Sequence, residues 1–311
     1  MTADSVLVTG GTGFIGRPVV DSLVERGDDV HVVSSKPLRQ SLLRQSESVT
    51  FHRADLLDQR QVQKLVEKVQ ASRLLHLAWY VEPGQVWNSL ENLRWAAASL
   101  ELIQAFAAGG GQRAVLAGSG SEYGPNGGIC SETETPIAPS NLYGVSKAAV
   151  GSMSLAGASA LGLEICWARI FSAFGPREHP ARLVSSIIKH LLLAEVAPCS
   201  PGNQQRDYLS THDIAGALTR LLESNVCGPV NVGSGEPVEL RNLVGRIAGV
   251  IGRPDLVRFG AVTPPPDDPP LLVANVSRLR DEAGWIPEFS LDDALQRTVE
   301  WWRGCLNSST G

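Results

Sequence analysis

The sequence predicts an α/β fold with a doubly wound parallel sheet and a smaller C-terminal region. Apolar, strand-like runs alternate with helical stretches through the first half of the chain. A glycine-rich turn follows the first apolar run, and the alternation loosens after about residue 171. Strands that are continuous apolar runs separated by helices are typical of parallel sheets covered on both faces.

The individual elements follow from hydrophobic periodicity and from turn residues. Before residue 171, the predicted strands cover residues 5–9, 29–33, 49–52, 73–77, 113–117 and 163–170. The helices predicted between them cover 14–25, 58–69, 86–107 and 142–160. The proline-rich segment 263–270 must be extended, because proline cannot continue a helix, and helices are predicted again at 276–283 and 291–302.

The composition is that of a globular protein of 311 residues, with 43% hydrophobic residues, 19% charged residues and a net charge of −5. This charge does not favour a nucleic-acid partner, and no apolar stretch approaches the roughly 20 residues of a membrane helix. The five cysteines are scattered, so neither a disulfide framework nor a metal site is predicted. With no signal segment before the first strand, a cytoplasmic location is expected.

The glycine-rich turn is the most informative stretch of the chain. Gly10, Gly13 and Gly16 recur at every third position between the apolar run 6–8 and the first predicted helix. In a dinucleotide-binding turn, such glycines permit the tight turn, the approach of a pyrophosphate and the packing of helix on strand. Free N–H groups at the helix N-terminus then bind the phosphates. The turn therefore predicts a nucleotide site after the first strand.

Tyr143 and Lys147 are four residues apart and share one face of a predicted helix. A strand-like segment upstream leads to Ser119, whose hydroxyl group is expected beside them. Tyrosine, with a usual pKa of about 10, is a poor acid–base group at neutral pH, but a cation about 4 Å away lowers that pKa. We predict that Ser119 holds the reacting oxygen, Tyr143 exchanges its proton, and Lys147 favours the phenolate.

Together these motifs resemble those of the extended short-chain dehydrogenase/reductases, in particular the branch that acts on nucleotide sugars. The resemblance covers nearly the whole chain. Its segments are residues 9–16, 54–56, 76–78, 119–124, 143–147, 169, 175–177, 206–208, 231–235 and 284–287. It implies a Rossmann domain, a nicotinamide cofactor, a nucleotide-diphosphate sugar as substrate and a homodimer.

The resemblance also implies roles for single residues. The implied cofactor-binding residues are Gly10, Gly13, Phe14, Ile15, Gly16, Asp55, Leu56, Leu77, Ala78, Tyr143 and Lys147. Asp55 is expected to meet the adenine, and Arg206 the substrate diphosphate. The cofactor domain is expected to comprise residues 1–170 and about 205–232, with a substrate-binding region at about 171–204 and 233–311.

The end of the second strand departs from members of the family that prefer NAD, which usually carry an acid there. Here Ser35 and Lys36 follow the strand, and Arg39 comes soon after. No carboxylate at this point repels a 2′-phosphate, and the hydroxyl groups and cations favour one. These three residues predict NADP(H), with NAD(H) as the alternative. Lys36 and Arg39 otherwise belong to a solvated helix start.

The substrate side also departs from the family pattern. Gly120 and Ser121 replace the Asp-Glu pair of the family's dehydratases, which argues against 4,6-dehydration. The proline-rich loop lacks the usual arginine at 265–267, and Arg177 or Arg182 is a candidate replacement. The expected substrate-binding residues are Trp79, Ser121, Arg177 and Arg206. Trp79 stands where the family usually has a small residue, and it either shapes the sugar pocket or fills core space.

Three functions are compatible with this sequence. The first is NADPH-dependent reduction of a nucleotide-linked keto sugar of the 4-keto-6-deoxy type, with Tyr143 as proton donor. The second is a nucleotide-sugar 4-epimerase with retained NAD(P). The third is a cofactor-binding protein of the same fold without turnover, which the presence of both Tyr143 and Lys147 disfavours.

Overall fold

The computed structural model describes residues 5–36, 48–125, 127–264 and 268–308. Its strands in those ranges are β1 (Ser5–Thr9), β2 (Asp29–Ser34), β3 (Val49–Arg53), β4 (Arg73–His76), β5 (Arg113–Ser119), β6 (Gly128–Cys130), β7 (Glu164–Ile170), β8 (Ser172–Phe174), β9 (Ala197–Pro198), β10 (Gln205–Ser210), β11 (Gly228–Val232), β12 (Pro237–Glu239), β13 (Val257–Arg258) and β14 (Leu271–Ala274). Its α-helices are α1 (Gly16–Glu25), α2 (Gln59–Val69), α3 (Glu91–Ala108), α4 (Leu142–Leu161), α5 (Leu183–Leu192), α6 (Thr211–Glu223), α7 (Leu240–Ile251) and α8 (Leu291–Ser308).

A seven-stranded parallel sheet lies at the centre of the described structure, in the order β11-β7-β5-β4-β1-β2-β3. Its strands are apolar because helices cover both faces. Val6, Leu7 and Val8 of β1, for example, are at most 1% exposed. Helices α1 and α6 pack together over one face, and α2, α3 and α4 cover the other. The predicted doubly wound sheet is confirmed.

The strand order reverses between β1 and β4, which are neighbours in the middle of the sheet. The N–H of Leu77, directly after β4, donates to the carbonyl oxygen of Thr9 at the end of β1 (3.1 Å). Doubly wound sheets bind ligands outside the carboxyl ends of their strands at such a reversal. The glycine turn after β1 and the residues after β4 therefore lie where a ligand is expected.

A smaller second sheet has the order β12-β10-β14-β6, with β8 paired to β10. Helices α5, α7 and α8 pack into a core of their own, in which Ile188, Leu243 and Leu295 are fully buried. Strand β11 belongs to the central sheet, whereas β6 and β10 belong to the second sheet. The domain bounds expected from the sequence stay a prediction.

Two predicted helices differ from the structure. The helix predicted at 86–107 is interrupted, since a short 3-10 turn covers Val86–Asn88 and α3 begins at Glu91. The cause is Asn92, whose side-chain amide donates to the carbonyl oxygens of Val86 (2.6 Å) and Ser89 (2.9 Å) and stabilises the break. The helix predicted at 276–283 is a single π-helical turn, Arg278–Glu282.

Candidate active site

The glycine turn after β1 has the geometry that a dinucleotide requires. Gly10 has φ +70°, and a Cβ atom on it would lie 2.8 Å from the backbone nitrogen of Ala78. A Cβ on Gly16 would lie 2.0 Å from the carbonyl oxygen of Gly10, so helix α1 starts in contact with the turn. Ile15, the N-cap residue of α1, gives no side-chain acceptor to the N–H groups of the first turn. These donors fit an anionic pyrophosphate.

A buried polar chain fixes the residues that face the glycine turn. The Thr9 hydroxyl lies 2.6 Å from His76 Nδ1 and accepts hydrogen bonds from the N–H groups of Leu77 and Ala78 (3.2 Å each). His76 Nε2 lies 2.9 Å from the hydroxyl of Ser99. Burial, aided by the charge of Lys147, lowers the pKa of His76 to about 3. The imidazole is therefore neutral and holds the loop after β4 against Gly10.

The residues expected near the adenosine lie at the ends of β2 and β3. Ser35 and Lys36 are exposed beyond β2, where the Lys36 N–H donates to the hydroxyl of Ser34 (3.2 Å). Asp55 is exposed and its carboxylate accepts from the N–H of Leu57 (3.0 Å). Arg39 lies outside the described residues, as do 265–267 of the proline-rich loop. Phe14 and Ile15 pack against the core beside β1, and Leu56 is buried beyond β3.

Ser119, Tyr143 and Lys147 meet at the carboxyl end of β5. Ser119 is the last residue of that strand, and Tyr143 and Lys147 lie on the first two turns of α4, which packs against it. A hydrogen bond joins the side chains of Ser119 and Tyr143. The Nζ atom of Lys147 donates to the carbonyl oxygen of Ala117 in β5 (2.9 Å). A hydroxyl, a phenol and an amine therefore share one site beside the reversal of the sheet.

Burial controls the proton affinities of this group. It raises the pKa of Tyr143, although the hydrogen bond with Ser119 acts in the opposite direction. It lowers the pKa of Lys147 to about 7, against the opposing effect of the Glu122 carboxylate. From the sequence, a lowered tyrosine pKa was expected beside the Lys147 cation. In the structure the tyrosine pKa is raised, because desolvation disfavours its charged form, and Lys147 changes charge near neutral pH.

Two tryptophans surround Tyr143. Trp79 and Trp87 both make edge contacts with the tyrosine ring, at centroid distances of 6.4 and 5.8 Å. Trp79 is only 9% exposed and lies beside the site, whereas Trp87 is 48% exposed. Trp87 was not predicted, because the segment 86–107 was interpreted as one regular helix. It lies in the 3-10 turn Val86–Asn88 that precedes α3.

Glu122 fixes the backbone of Ser119 at the end of β5, and it was not predicted from the sequence. Its fully buried carboxylate accepts hydrogen bonds from the Ser119 N–H (2.7 Å), the Trp167 indole (3.0 Å) and the Arg169 guanidinium (2.8 Å). The segment 119–122 has the Ser-x-x-Glu spacing of a capping box, which is the signal in the sequence that could have identified it. Ser121, expected at the substrate, donates its N–H to the Ser119 hydroxyl (3.2 Å).

The arginines expected at the substrate have different surroundings. Arg206 on β10 is ion-paired with Asp268, which lies within the proline-rich segment 263–270. Arg177 is exposed and lines a cleft whose lining, where the structure describes it, includes none of the three residues that meet at β5. The guanidinium of Arg182 lies 5.6 Å from the ring centroid of Phe14, and its charge lowers the pKa of Tyr143. Arg182 is ion-paired with Glu178 (3.1 Å), whereas Arg177 shares its cleft with Pro18 and Asp21 of α1.

The matched family settles what kind of protein carries this site. The model of the NAD dependent epimerase/dehydratase family matches residues 6–233 of this chain, from β1 to just past β11. The chain belongs to this family. The resemblance to the extended short-chain dehydrogenase/reductases is therefore confirmed, and the glycine turn, Ser119, Tyr143 and Lys147 all lie within the matched part.

Known members of the epimerase/dehydratase family are similar over nearly the whole chain. UDP-glucuronic acid decarboxylase 1 of Xenopus tropicalis is 28% identical over 308 residues, covering 96% of this chain and 72% of that protein. The UDP-N-acetylglucosamine 4-epimerase structure from Methanobrevibacter ruminantium, in complex with UDP-N-acetylmuramic acid, has a TM-score of 0.87 at 26% identity and covers 98% and 100% of the two chains. The UDP-glucose 4-epimerase of Thermus thermophilus in complex with NAD has a TM-score of 0.82 at 27% identity, covering 96% and 99%.

The described ranges contain no helix that is both long enough and apolar enough to cross a bilayer. Within the same ranges, no cluster of three or more His, Cys, Asp or Glu side chains is arranged to hold a metal ion.

Proposed function

We propose that this family member is a nucleotide-sugar 4-epimerase that retains its dinucleotide, with Ser119, Tyr143 and Lys147 as the catalytic residues. The meeting of these three side chains at the end of β5 supports it most directly. Glu122, close by in sequence, is bound to Arg169 and Trp167 and is not free to act as the acid of a dehydration. The similarity to two 4-epimerases over nearly the whole chain agrees with this choice.

The chain's own side chains then move one proton at the sugar C4 oxygen. Ser119 holds that oxygen by a hydrogen bond, and Tyr143, as the phenolate, takes its proton during oxidation and, as the phenol, returns it during reduction. Lys147, when charged, favours the phenolate form of Tyr143. The same set serves both directions, because reduction of the ketone from its other face produces the C4 epimer.

The dinucleotide would be held by residues on the edge of the central sheet. Gly10, Gly13 and the N-terminus of α1 would bind the pyrophosphate, Asp55 the adenine, and Lys147 the ribose. A bound nicotinamide supplies the oxidation of the sugar carbon and its later reduction. Leu77 and Ala78, fixed by Thr9, would form the wall beside it.

We propose a UDP-sugar as the substrate class, since the similar proteins act on or bind UDP-sugars. Arg206 would bind the diphosphate, and Trp79 would contact the sugar. Arg182, which is ion-paired with Glu178 and lies 5.6 Å from the ring centroid of Phe14, would replace the arginine that the proline-rich loop lacks.

A keto-sugar reductase is the second candidate, because Ser35 and Lys36 are exposed at the end of β2 and favour a 2′-phosphate. Two measurements separate the candidates. An epimerase interconverts C4 epimers without net consumption of coenzyme, whereas a reductase consumes NADPH when given a nucleotide-linked 4-keto sugar. Tighter binding of NADH than of NADPH would remove the support for the second candidate.

We also propose that the protein forms a homodimer through α3 and α4. These helices pack side by side, and both expose apolar side chains, among them Leu93 (53% exposed) and Met153 (59% exposed). Exposed apolar stripes on neighbouring helices favour burial against a second copy.

A further inference from the structure

Lys147 has an aromatic partner besides its hydrogen bond. Its Nζ atom lies 3.8 Å from the ring centroid of Trp79, above the face of the indole. The two side chains are 4% and 9% exposed, so little water reaches the contact. A cation over the face of tryptophan is attracted by the negative potential of the ring, and the attraction is strongest where water is excluded.

The indole is held in this orientation. Its Nε1–H donates to the Oδ1 atom of Asn92 (2.9 Å). Asn92 is fully buried, and its own amide donates to two backbone carbonyl oxygens in the break before α3. Trp79 therefore presents a fixed ring face to Lys147 and an edge to Tyr143.

The other groups around Lys147 contribute little additional negative charge. Glu122 favours the charged amine, but its carboxylate already binds Arg169. His76 is neutral, since its pKa is about 3, and burial raises the pKa of Tyr143, so the phenol is also uncharged at neutral pH. The Ala117 carbonyl and the ring of Trp79 are thus neutral partners of a buried cation.

We propose that Trp79 is a positioning residue for Lys147, and that its ring face stabilises the charged amine beside Tyr143. The catalytic meaning of this contact rests on the proposed function, but the contact itself does not. If Trp79 served only to exclude water, its removal would raise the pKa of Lys147. Loss of a cation–π contact lowers that pKa instead, so the two roles predict opposite signs.

A lysine titration tests the proposal without any need for turnover. The chain has five lysines, so ¹³Cε-lysine NMR gives few signals, and Lys147→Met assigns the one of interest. We expect Trp79→Leu to lower the pKa of Lys147 by about one unit, and Trp79→Phe to lower it less. Trp87→Leu is the matched control, because Trp87 also contacts Tyr143. We expect this variant to leave the pKa of Lys147 unchanged.

An unchanged or raised pKa of Lys147 in Trp79→Leu overturns the proposal. Should Trp79→Leu fail to fold, the pKa of Lys147 is measured in Trp79→Phe and in Asn92→Ala. Asn92→Ala removes the acceptor of the indole N–H and so releases the ring. An unchanged pKa of Lys147 in both variants likewise overturns the proposal. In the epimerase assay, the alkaline limb of the kcat profile of Trp79→Phe is expected at lower pH. An inactive wild-type protein contradicts the proposed function, while the NMR titration still decides the role of Trp79.

Discussion

At the scale of single residues, the site depends on which side chains carry charge at neutral pH. Burial lowers the pKa of Lys147 to about 7 and that of His76 to about 3, and it raises the pKa of Tyr143. These directions follow from desolvation and could not be deduced from residue spacing. The spacing of Tyr143 and Lys147 did predict their shared helix face.

His76 gives a pH dependence of stability. Its pKa is 6.5 when unfolded and about 3 when folded, so the unfolded chain binds more protons between these values. The contribution of the neutral His76 imidazole to the free energy of unfolding is therefore complete above pH 6.5 and is lost as pH falls towards 3. We expect His76→Asn to flatten the dependence of unfolding free energy on pH in this window by up to about 1.4 kcal/mol per pH unit.

Urea unfolding at several pH values measures this slope. His179→Asn is the matched control, since it removes an exposed histidine. A slope in His76→Asn equal to that of the wild type would mean that His76 is not kept neutral by burial.

Arg206 and Asp268 give a second prediction at this scale. The Asp268 carboxylate occupies the guanidinium that would bind the substrate diphosphate. We expect Asp268→Asn to tighten UDP binding several-fold, because a competing anion is removed, and Arg206→Gln to weaken it about tenfold or more. Calorimetric titration with UDP measures both. Asp255→Asn, which breaks a comparable arginine pair elsewhere, is the control.

Weaker UDP binding by Asp268→Asn would show that the carboxylate orients Arg206 for the diphosphate and does not compete with it. Unchanged binding by Arg206→Gln would remove Arg206 from the substrate site.

At the scale of elements, the turn between β1 and α1 allows little change. A Cβ on Gly16 would lie 2.0 Å from the carbonyl oxygen of Gly10, so Gly16→Ala must displace the helix from the strand. We expect it to lower the free energy of unfolding by about 2 kcal/mol or more and to weaken dinucleotide binding. Gly245→Ala, where nothing lies within 4 Å, is expected to raise stability by up to about 1 kcal/mol.

Thermal unfolding of the two variants, with and without NAD, measures these effects. Equal midpoints for Gly16→Ala and the wild type would show that the helix start tolerates a side chain, contrary to the contact described.

Hydrophobic periodicity and turn residues predicted most helices and strands. They did not predict features that depend on side-chain hydrogen bonds or on contacts between distant segments. Six strands of the central sheet were predicted because burial on both faces makes them apolar runs, whereas β11, with glycine and proline at its start, was not. The break before α3 was not, because Asn92 stabilises it through side-chain hydrogen bonds that periodicity does not show. The Trp79–Lys147 and Arg206–Asp268 contacts join segments far apart in the chain and needed the structure.

At the scale of the whole molecule, α3 and α4 carry the proposed dimer face. We expect the wild type to have the mass of two chains in light scattering, and Leu93→Arg with Met153→Arg to have the mass of one, because two buried cations are costly. Leu193→Arg, at an exposed position just after α5, is the control and stays dimeric. A wild-type monomer at micromolar concentration would contradict the dimer.

The proposed function is oxidation and reduction at one sugar carbon. The most direct test is the conversion of UDP-glucose, UDP-glucuronate or UDP-N-acetylglucosamine to its C4 epimer, followed by NMR without added coenzyme. The variants are Tyr143→Phe and, as control, Tyr80→Phe, which removes a hydroxyl bonded to Gln85 (3.2 Å). We predict that the wild type and Tyr80→Phe epimerise at least one of these sugars, and that Tyr143→Phe is slower by about 100-fold or more. No epimer from the wild type, or undiminished turnover by Tyr143→Phe, would contradict the account.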